Sequence, residues 1–220
     1  MAANKPTRVY LEIAPKKTFA VALDWPGWAR SGKTEDQALQ ALAAYAQRYA
    51  DVVRDSGTGF TPALADHLEV VERVEGNRTT EFGAPAVPVS TDSTPVAQAD
   101  AERAAVLVQA CWDALDAAAG RSASALQKGP RGGGRDRDKM VDHVIGAEVA
   151  YARKIGLKHR QPSIDDKQAI AAMRADILNV LGNASDGGPL VEKGWPAAYS
   201  ARRFAWHATD HAWEMEDRQP

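Results

Sequence analysis

The sequence predicts an α+β protein in which a small sheet-bearing unit precedes an all-helical bundle. Three observations predict it. The first third of the chain alternates apolar and polar residues with a period of two, the pattern of half-buried strands. Residues 83–100, GAPAVPVSTDSTPVAQAD, gather three prolines and several small polar residues, the composition of a linker. Beyond them, four segments carry apolar residues at helical spacing with no strand between, as a helix bundle requires. The expected division is an α+β unit at residues 1–82, a linker at 83–100 and a bundle at 101–220.

In the first unit, TRVYLEIA sets Val9, Leu11 and Ile13 against Tyr10 and Glu12, and TFAVAL alternates Phe19, Val21 and Leu23. Pro15-Lys16-Lys17 between them suits a hairpin turn. DWPGW breaks the second strand, and ARSG follows as a short extended piece. Thr34-Glu35-Asp36-Gln37 is a capping box: the hydroxyl accepts from an orphan amide, Gln37 reaches back, and the acidic residues suit the helix dipole. Ala38, Leu39, Leu42, Tyr45, Ala46 and Tyr49 continue one apolar face to about Val53. HLEVVERV reads as a further strand, and Gly76-Asn77 as a turn into a last one, RTTEF.

The bundle helices are expected at residues 101–119, 136–155, 165–181 and 197–217. Val106, Leu107, Ala110, Ala114 and Leu115 line the first; Ile170, Met173, Ile177 and Leu181 line the third. Cys111 lies mid-helix among apolar neighbours and reads as a buried, inert thiol. As the single cysteine of the chain it excludes an internal disulfide and a zinc ribbon.

Composition narrows the function classes. Lys and Arg number 27 against 29 Asp and Glu, so no general electrostatic attraction to nucleic acid or anionic lipid is expected. No apolar run approaches about 18 residues, so no membrane span is expected. The start, MAANKPTRVYLEIAPKK, lacks the apolar segment of a signal peptide. A cytoplasmic protein is the expectation, and the alanine-rich, arginine-over-lysine usage suits a GC-rich bacterial genome.

Three histidines carry the chemistry. On the last helix, at about 100° per residue, Phe204, Ala208, Ala212 and Met215 form the core stripe, and His207 and His211 sit together at its edge with Arg203, Glu214 and Arg218 on the same side. Histidines at i and i+4 share one helical face, the geometry by which two imidazoles bind one metal. The pair alone also fits surface or core positions. On the second bundle helix His143 lies at the rim of the apolar arc beside Ala147 and Ala150. Two histidines from one helix and one from another make a facial set that leaves positions open, as catalytic zinc sites do. Glu148 falls within the apolar arc of that second helix, so it needs a partner, an arginine or a tryptophan N–H from another helix. Trp206 and Trp213 lie apart from the histidine pair and are expected to pack on the N-terminal unit or a second subunit, with Trp25 and Trp28 as counterparts.

His143 within DHVIGAE, and His207 and His211 within WHATDHAWE, resemble the DinB-like superfamily of four-helix bundles, over about residues 94–218. The resemblance implies a divalent metal (zinc, nickel or iron) held by His143, His207 and His211. It also implies, for some members, thiol-dependent transfer or isomerisation using bacillithiol, mycothiol or glutathione. LDWPGWARSGKTEDQALQALAAYA resembles the HicB-like antitoxin fold over about residues 7–75, through Asp24, Pro26, Gly27, Gly32, Thr34 and Ala38. That resemblance implies a small α/β sandwich of order β-β-β-α-β; no DNA-binding segment follows it.

KGPRGGGRDRDK, residues 128–139, places three glycines before a helix N-terminus, a setting that favours anions. Arg131 and Arg135 could grip a carboxylate or phosphate of an acidic thiol or substrate; a flexible basic loop is the plainer alternative. The leading expectation is therefore an enzyme with a small-molecule substrate or low-molecular-weight thiol, with a homodimer as the partner that packing of Trp206 and Trp213 on a second subunit would imply. Its metal would lower the pKa of a water or thiol, with Glu214 or Arg203 as proton shuttle or charge stabiliser. The reaction would be thiol transfer or isomerisation first, metal-assisted hydrolysis next. The alternative is a binding or regulatory module acting through the HicB-like sheet, with a structural or vestigial metal.

Overall fold

The structure, a computed structural model, describes residues 6–129 and 134–220. It is α+β. Strands β1 (Thr7–Ala14), β2 (Lys17–Ala22) and β3 (Ala29–Gly32) lead into helices α1 (Glu35–Ala44) and α2 (Ala46–Val52), then strand β4 (Leu68–Glu75) and the short helix α3 (Arg78–Phe82). Four long helices follow: α4 (Gln98–Arg121), α5 (Arg137–Lys154), α6 (Lys167–Leu181) and α7 (Ala197–Asp217).

The sheet runs β3-β2-β1-β4. β1 and β2 form an antiparallel hairpin that pairs Ala14 with Lys17 at its turn, and β4 returns parallel to β1. The period-two pattern places Val9, Leu11, Ala20 and Ala22 on one face, packed on Ala38 and Leu42 of α1 and Ala46 and Tyr49 of α2. Tyr10, Phe19 and Val21 occupy the other face, against Val89 and Trp206. Both faces of β1 and β2 are therefore covered, while β4 at the edge leaves alternate residues exposed, Val71 among them. The third core lies among the long helices, with Trp112 and Leu115, Val144 and Ile145, Met173 and Ile177, and Phe204 and Ala208 contributed in turn by α4, α5, α6 and α7.

Local chemistry explains the departures from expectation. RTTEF is a helix, not a strand. Asn77 Oδ1 accepts from the amides of Thr79 and Thr80, while Thr80 Oγ1 accepts from the Asn77 amide at 2.8 Å. That reciprocal cap satisfies the orphan donors of a first turn and outweighs the strand preference of the two threonines. Gly83, at φ +112, ends the turn. The helix expected over 34–53 breaks at Tyr45, whose ring meets Trp213 at 5.1 Å between centroids. The Thr34 cap forms as read, with Gln37 N donating to Thr34 Oγ1 at 3.2 Å.

The 83–100 stretch is a strap tied to both sides. Ala86 and Val87 donate their amides to the buried carboxylate of Glu12, and Asp92 accepts Arg202 of α7 at 2.6 Å. Its last residues already belong to α4. The tryptophan pairing also differs. Trp206 meets Phe19 and Trp213 meets Tyr45, so both pack on the N-terminal unit, but Trp25 and Trp28 meet Phe60 edge-to-face instead. The DWPGW turn lies on α4: Gly27 adopts φ +98, and a Cβ there would come within 2.7 Å of Cys111 Sγ. Burial pushes that thiol far above its ordinary pKa, so Cys111 is a packing residue.

Candidate metal centre

α7 is buried on nearly every side, so its polar residues must find partners. The i, i+4 spacing brings His207 and His211 together, with ring centroids 4.7 Å apart. α5 packs alongside and places His143 at 5.1 Å from His207 and 5.2 Å from His211. One nitrogen from each ring lies within 4.8 Å of the other two. Metal–nitrogen bonds of about 2.0–2.1 Å in a tetrahedral site put the nitrogens about 3.4 Å apart, so closing on a cation needs shifts of about 1.4 Å at most.

The electrostatics favour neutral imidazoles at His143 and His207. Burial, then the neighbouring Arg135 and His211, lowers His143 to about 4. Burial and the two other histidines hold His207 well below its usual value. Neutral rings keep the lone pairs that a cation needs. Among the described residues, Nδ1 of His207 is buried without a hydrogen-bond partner, an arrangement that costs about 1–3 kcal/mol when nothing offsets it. A buried, partnerless nitrogen among three converging rings fits a bound cation.

Behind His211, Nδ1 lies 2.9 Å from Glu214 Oε2. Arg218 Nη1 donates to the other carboxylate oxygen at 2.7 Å, and Arg218 Nε donates to the Gln127 carbonyl. The hydrogen bond to His211, with Arg218 adding to it, holds the Glu214 carboxyl below its usual range. A carboxylate behind a ligating histidine fixes its tautomer and orientation; with Nδ1 engaged, Nε2 is left to face the centre.

The three histidines expected to converge do so. Glu214 supports His211 from behind rather than lying free beside the centre, a position suited to orienting a ligand more than to shuttling protons. Arg203 donates to the Pro85 carbonyl at 2.6 Å, one turn before His207. Arg135 is exposed and near enough to lower both His143 and His207. Arg131 lies outside the described residues. Glu148 has the arginine partner expected from another helix: Arg174 bridges both its oxygens at 3.1 Å. Trp206 does not lie apart from the histidines; its ring centroid is 5.8 Å from that of His207. Tyr151 at 5.8 Å walls the same ring, a residue not singled out from sequence although it lies eight positions after His143 on one side of α5.

No protein-family model, no curated protein and no solved structure matches this chain. The centre is therefore read from its own geometry. Among the described residues, no fourth histidine, cysteine or carboxylate joins the cluster. No helix among them is long and apolar enough to cross a membrane.

Proposed function

We propose that the protein is a metal-dependent enzyme whose cation is held by His143, His207 and His211. The observation that carries this reading is the three-imidazole cluster without a fourth protein ligand among the described residues. Structural zinc sites close with four protein ligands, whereas catalytic ones keep a position for water or substrate. A bound cation would supply Lewis acidity to lower the pKa of a water or thiol. His211 is oriented by Glu214, and the rings of Tyr151 and Trp206 shield His207 from bulk water.

The resemblance of the DHVIGAE and WHATDHAWE segments to the DinB-like superfamily directs the choice of chemistry. Zinc, nickel or iron would serve as the cation, and a low-molecular-weight thiol of the mycothiol or bacillithiol kind as co-substrate. The thiol gives up its proton, its sulfur bonds to an electrophilic carbon, and the leaving group departs with a proton; isomerisation and hydrolysis are the neighbouring reactions. For the competing reading, a recognition module built on a HicB-like sheet, β1 and β2 are covered on both faces, and the exposed residues of β4, Val71 among them, are the sheet surface left to a partner.

Metal analysis of the purified protein beside His143→Ala tests the reading. One equivalent of metal in the wild type, lost in the variant, supports it, and turnover of thiols with electrophiles follows. A wild type that stays metal-free after incubation with zinc, nickel and ferrous iron overturns it.

A further inference from the structure

A cleft of about 520 Å³ opens where the turn after β2, the strap and the first turns of α4 and α7 meet. None of the three histidines lines it, and its volume lies within the range of small-molecule sites. Ala101 and Ala104 of α4, Leu181 of α6 and Ala201 of α7 form an apolar wall. Alanines on both α4 and α7 leave the space that larger side chains would fill.

Five charged residues line the cleft: Arg8, Asp24, Asp100, Arg103 and Arg202. Three of them are paired. Arg8 grips both oxygens of Asp24, and Arg202 holds Asp92. Arg103 and Asp100 form no ion pair among the described residues. They stand three positions apart on α4, a spacing at which opposite charges commonly meet. Arg103 is drawn away instead. Its Nη1 donates to the Asp24 carbonyl at 2.7 Å, and its guanidinium carbon lies 4.1 Å from the Trp25 ring centroid. The cleft thus presents one unpaired cation and one unpaired carboxylate, held apart. Its walls also carry unmet hydrogen-bonding groups. Among the described residues, Thr91 Oγ1 and Arg202 Nε are buried without a partner, and Arg202 is only 5 % exposed. The amides of Ala197 and Ala198, in the first turn of α7, have no acceptor among the described residues either, and Pro196 at the cap position offers none. Buried groups of this kind are costly unless something satisfies them.

We propose that this cleft binds a free α-amino acid with an apolar side chain. The carboxylate of the ligand meets Arg103, its ammonium meets Asp100, and its side chain lies on Ala101, Ala104, Leu181 and Ala201. One unpaired charge of each sign on the walls matches a zwitterion. A simple anion would face Asp100 unfavourably, and a simple amine would face Arg103. The site is separate from the three-histidine centre, so its failure leaves the proposed function standing.

Calorimetric titration of the full-length protein with the apolar L-amino acids, from alanine to phenylalanine, tests the proposal. Each ligand is compared with the matched acid lacking the ammonium and the matched amine lacking the carboxylate; for leucine these are 4-methylpentanoate and 3-methylbutylamine. Saturable binding of at least one amino acid is expected, weakened about tenfold by loss of either charge, the lower end for charge-assisted bonds because both residues are open to water. Asp100→Asn should erase the preference over the acid, and Arg103→Gln the preference over the amine. Asp100 is exposed and unbonded, so its variant folds and decides the matter even where Arg103→Gln, which loses the Asp24 carbonyl, does not fold. The absence of saturable binding by every amino acid in the series overturns the proposal. So does an acid that binds as tightly as its amino acid, which would make the cleft an anion site, or a preference over the acid that survives Asp100→Asn.

Discussion

Glu214→Gln is the sharpest test of how the centre is built. The substitution preserves side-chain length but removes the charge that faces His211 Nδ1 at 2.9 Å and Arg218 Nη1 at 2.7 Å. An amide presents one acceptor and one donor. If its oxygen keeps the imidazole N–H, its NH₂ faces the donor of Arg218; if it turns, it faces Nδ1–H instead. Either way one contact becomes donor against donor. Loss of such a carboxylate partner costs 10- to 100-fold in metal affinity. Glu214 is 34 % exposed on its side chain, so water takes up part of the lost interaction and the lower end applies. We expect about tenfold weaker binding, or about 1.4 kcal/mol, with one site per chain retained. Competition against a chromophoric chelator measures it. An affinity within twofold of wild type would refute the argument that Glu214 orients His211. Complete loss of metal would instead make Glu214 a ligand.

Three further outcomes follow from the same geometry. His143 is lowered from 6.5 to about 4 in the folded chain, so the unfolded chain binds the extra proton between those values and stability of the metal-free protein falls as pH drops through that window; denaturant titrations at pH 7 and pH 5 should show the loss, and His143→Gln should reduce it, with the lowered His207 supplying the remainder. Arg174→Met strands the Glu148 carboxylate, 1 % exposed, at a cost of about 3–5 kcal/mol and a fall in Tm of about 6–20 °C. Because burial already raises the Glu148 pKa, protonation relieves the variant at low pH, and calorimetry should find its deficit growing as pH rises. Gly27→Ala meets both a left-handed backbone and Cys111 Sγ at 2.7 Å; a measurable loss of stability is expected, of which Cys111→Ala in the same chain should restore only the steric part.

Much of this arrangement is legible in the residues themselves. Alternation from Val9 to Ile13 and the 3.6-residue pattern around Ile170 and Ile177 are one-dimensional signals, and strands and helices follow from them. The Thr34 cap is likewise local. Asn77 and Thr80 were equally local, but two threonines and a phenylalanine read as strand until the reciprocal cap is seen. The break at Tyr45 is different in kind. Nothing nearby in sequence disfavours helix; a ring contact with Trp213, far along the chain, accompanies the break. The centre divides the same way. The i, i+4 pair is readable on one helix, and His143 could be matched to it because both lie at the rims of apolar arcs. Tyr151, the Pro85 carbonyl and the place of Trp206 depend on how α5, the strap and α7 meet, which no single segment encodes.

That meeting explains why a polar stretch such as RRFAWHATDHAWEMEDR becomes the most enclosed helix of the protein. One side of α7 gives Phe204, Ala208 and Met215 to the core of the long helices, while Trp206 and Trp213 each enter one of the two cores that flank the sheet. A helix gripped from both sides must satisfy its polar side chains within the protein. Asp92 serves Arg202, the Gly27 carbonyl accepts from Thr209, and Arg30 meets Asp210. The N-terminal unit thus supplies partners as well as apolar cover to the helix that carries two of the three imidazoles. Cutting the chain before α4 would expose two tryptophans and strand Arg202, so the bundle without its sheet should lose the register that brings His207 and His211 to His143. The sheet is part of the metal centre's support even though it contributes no ligand to it.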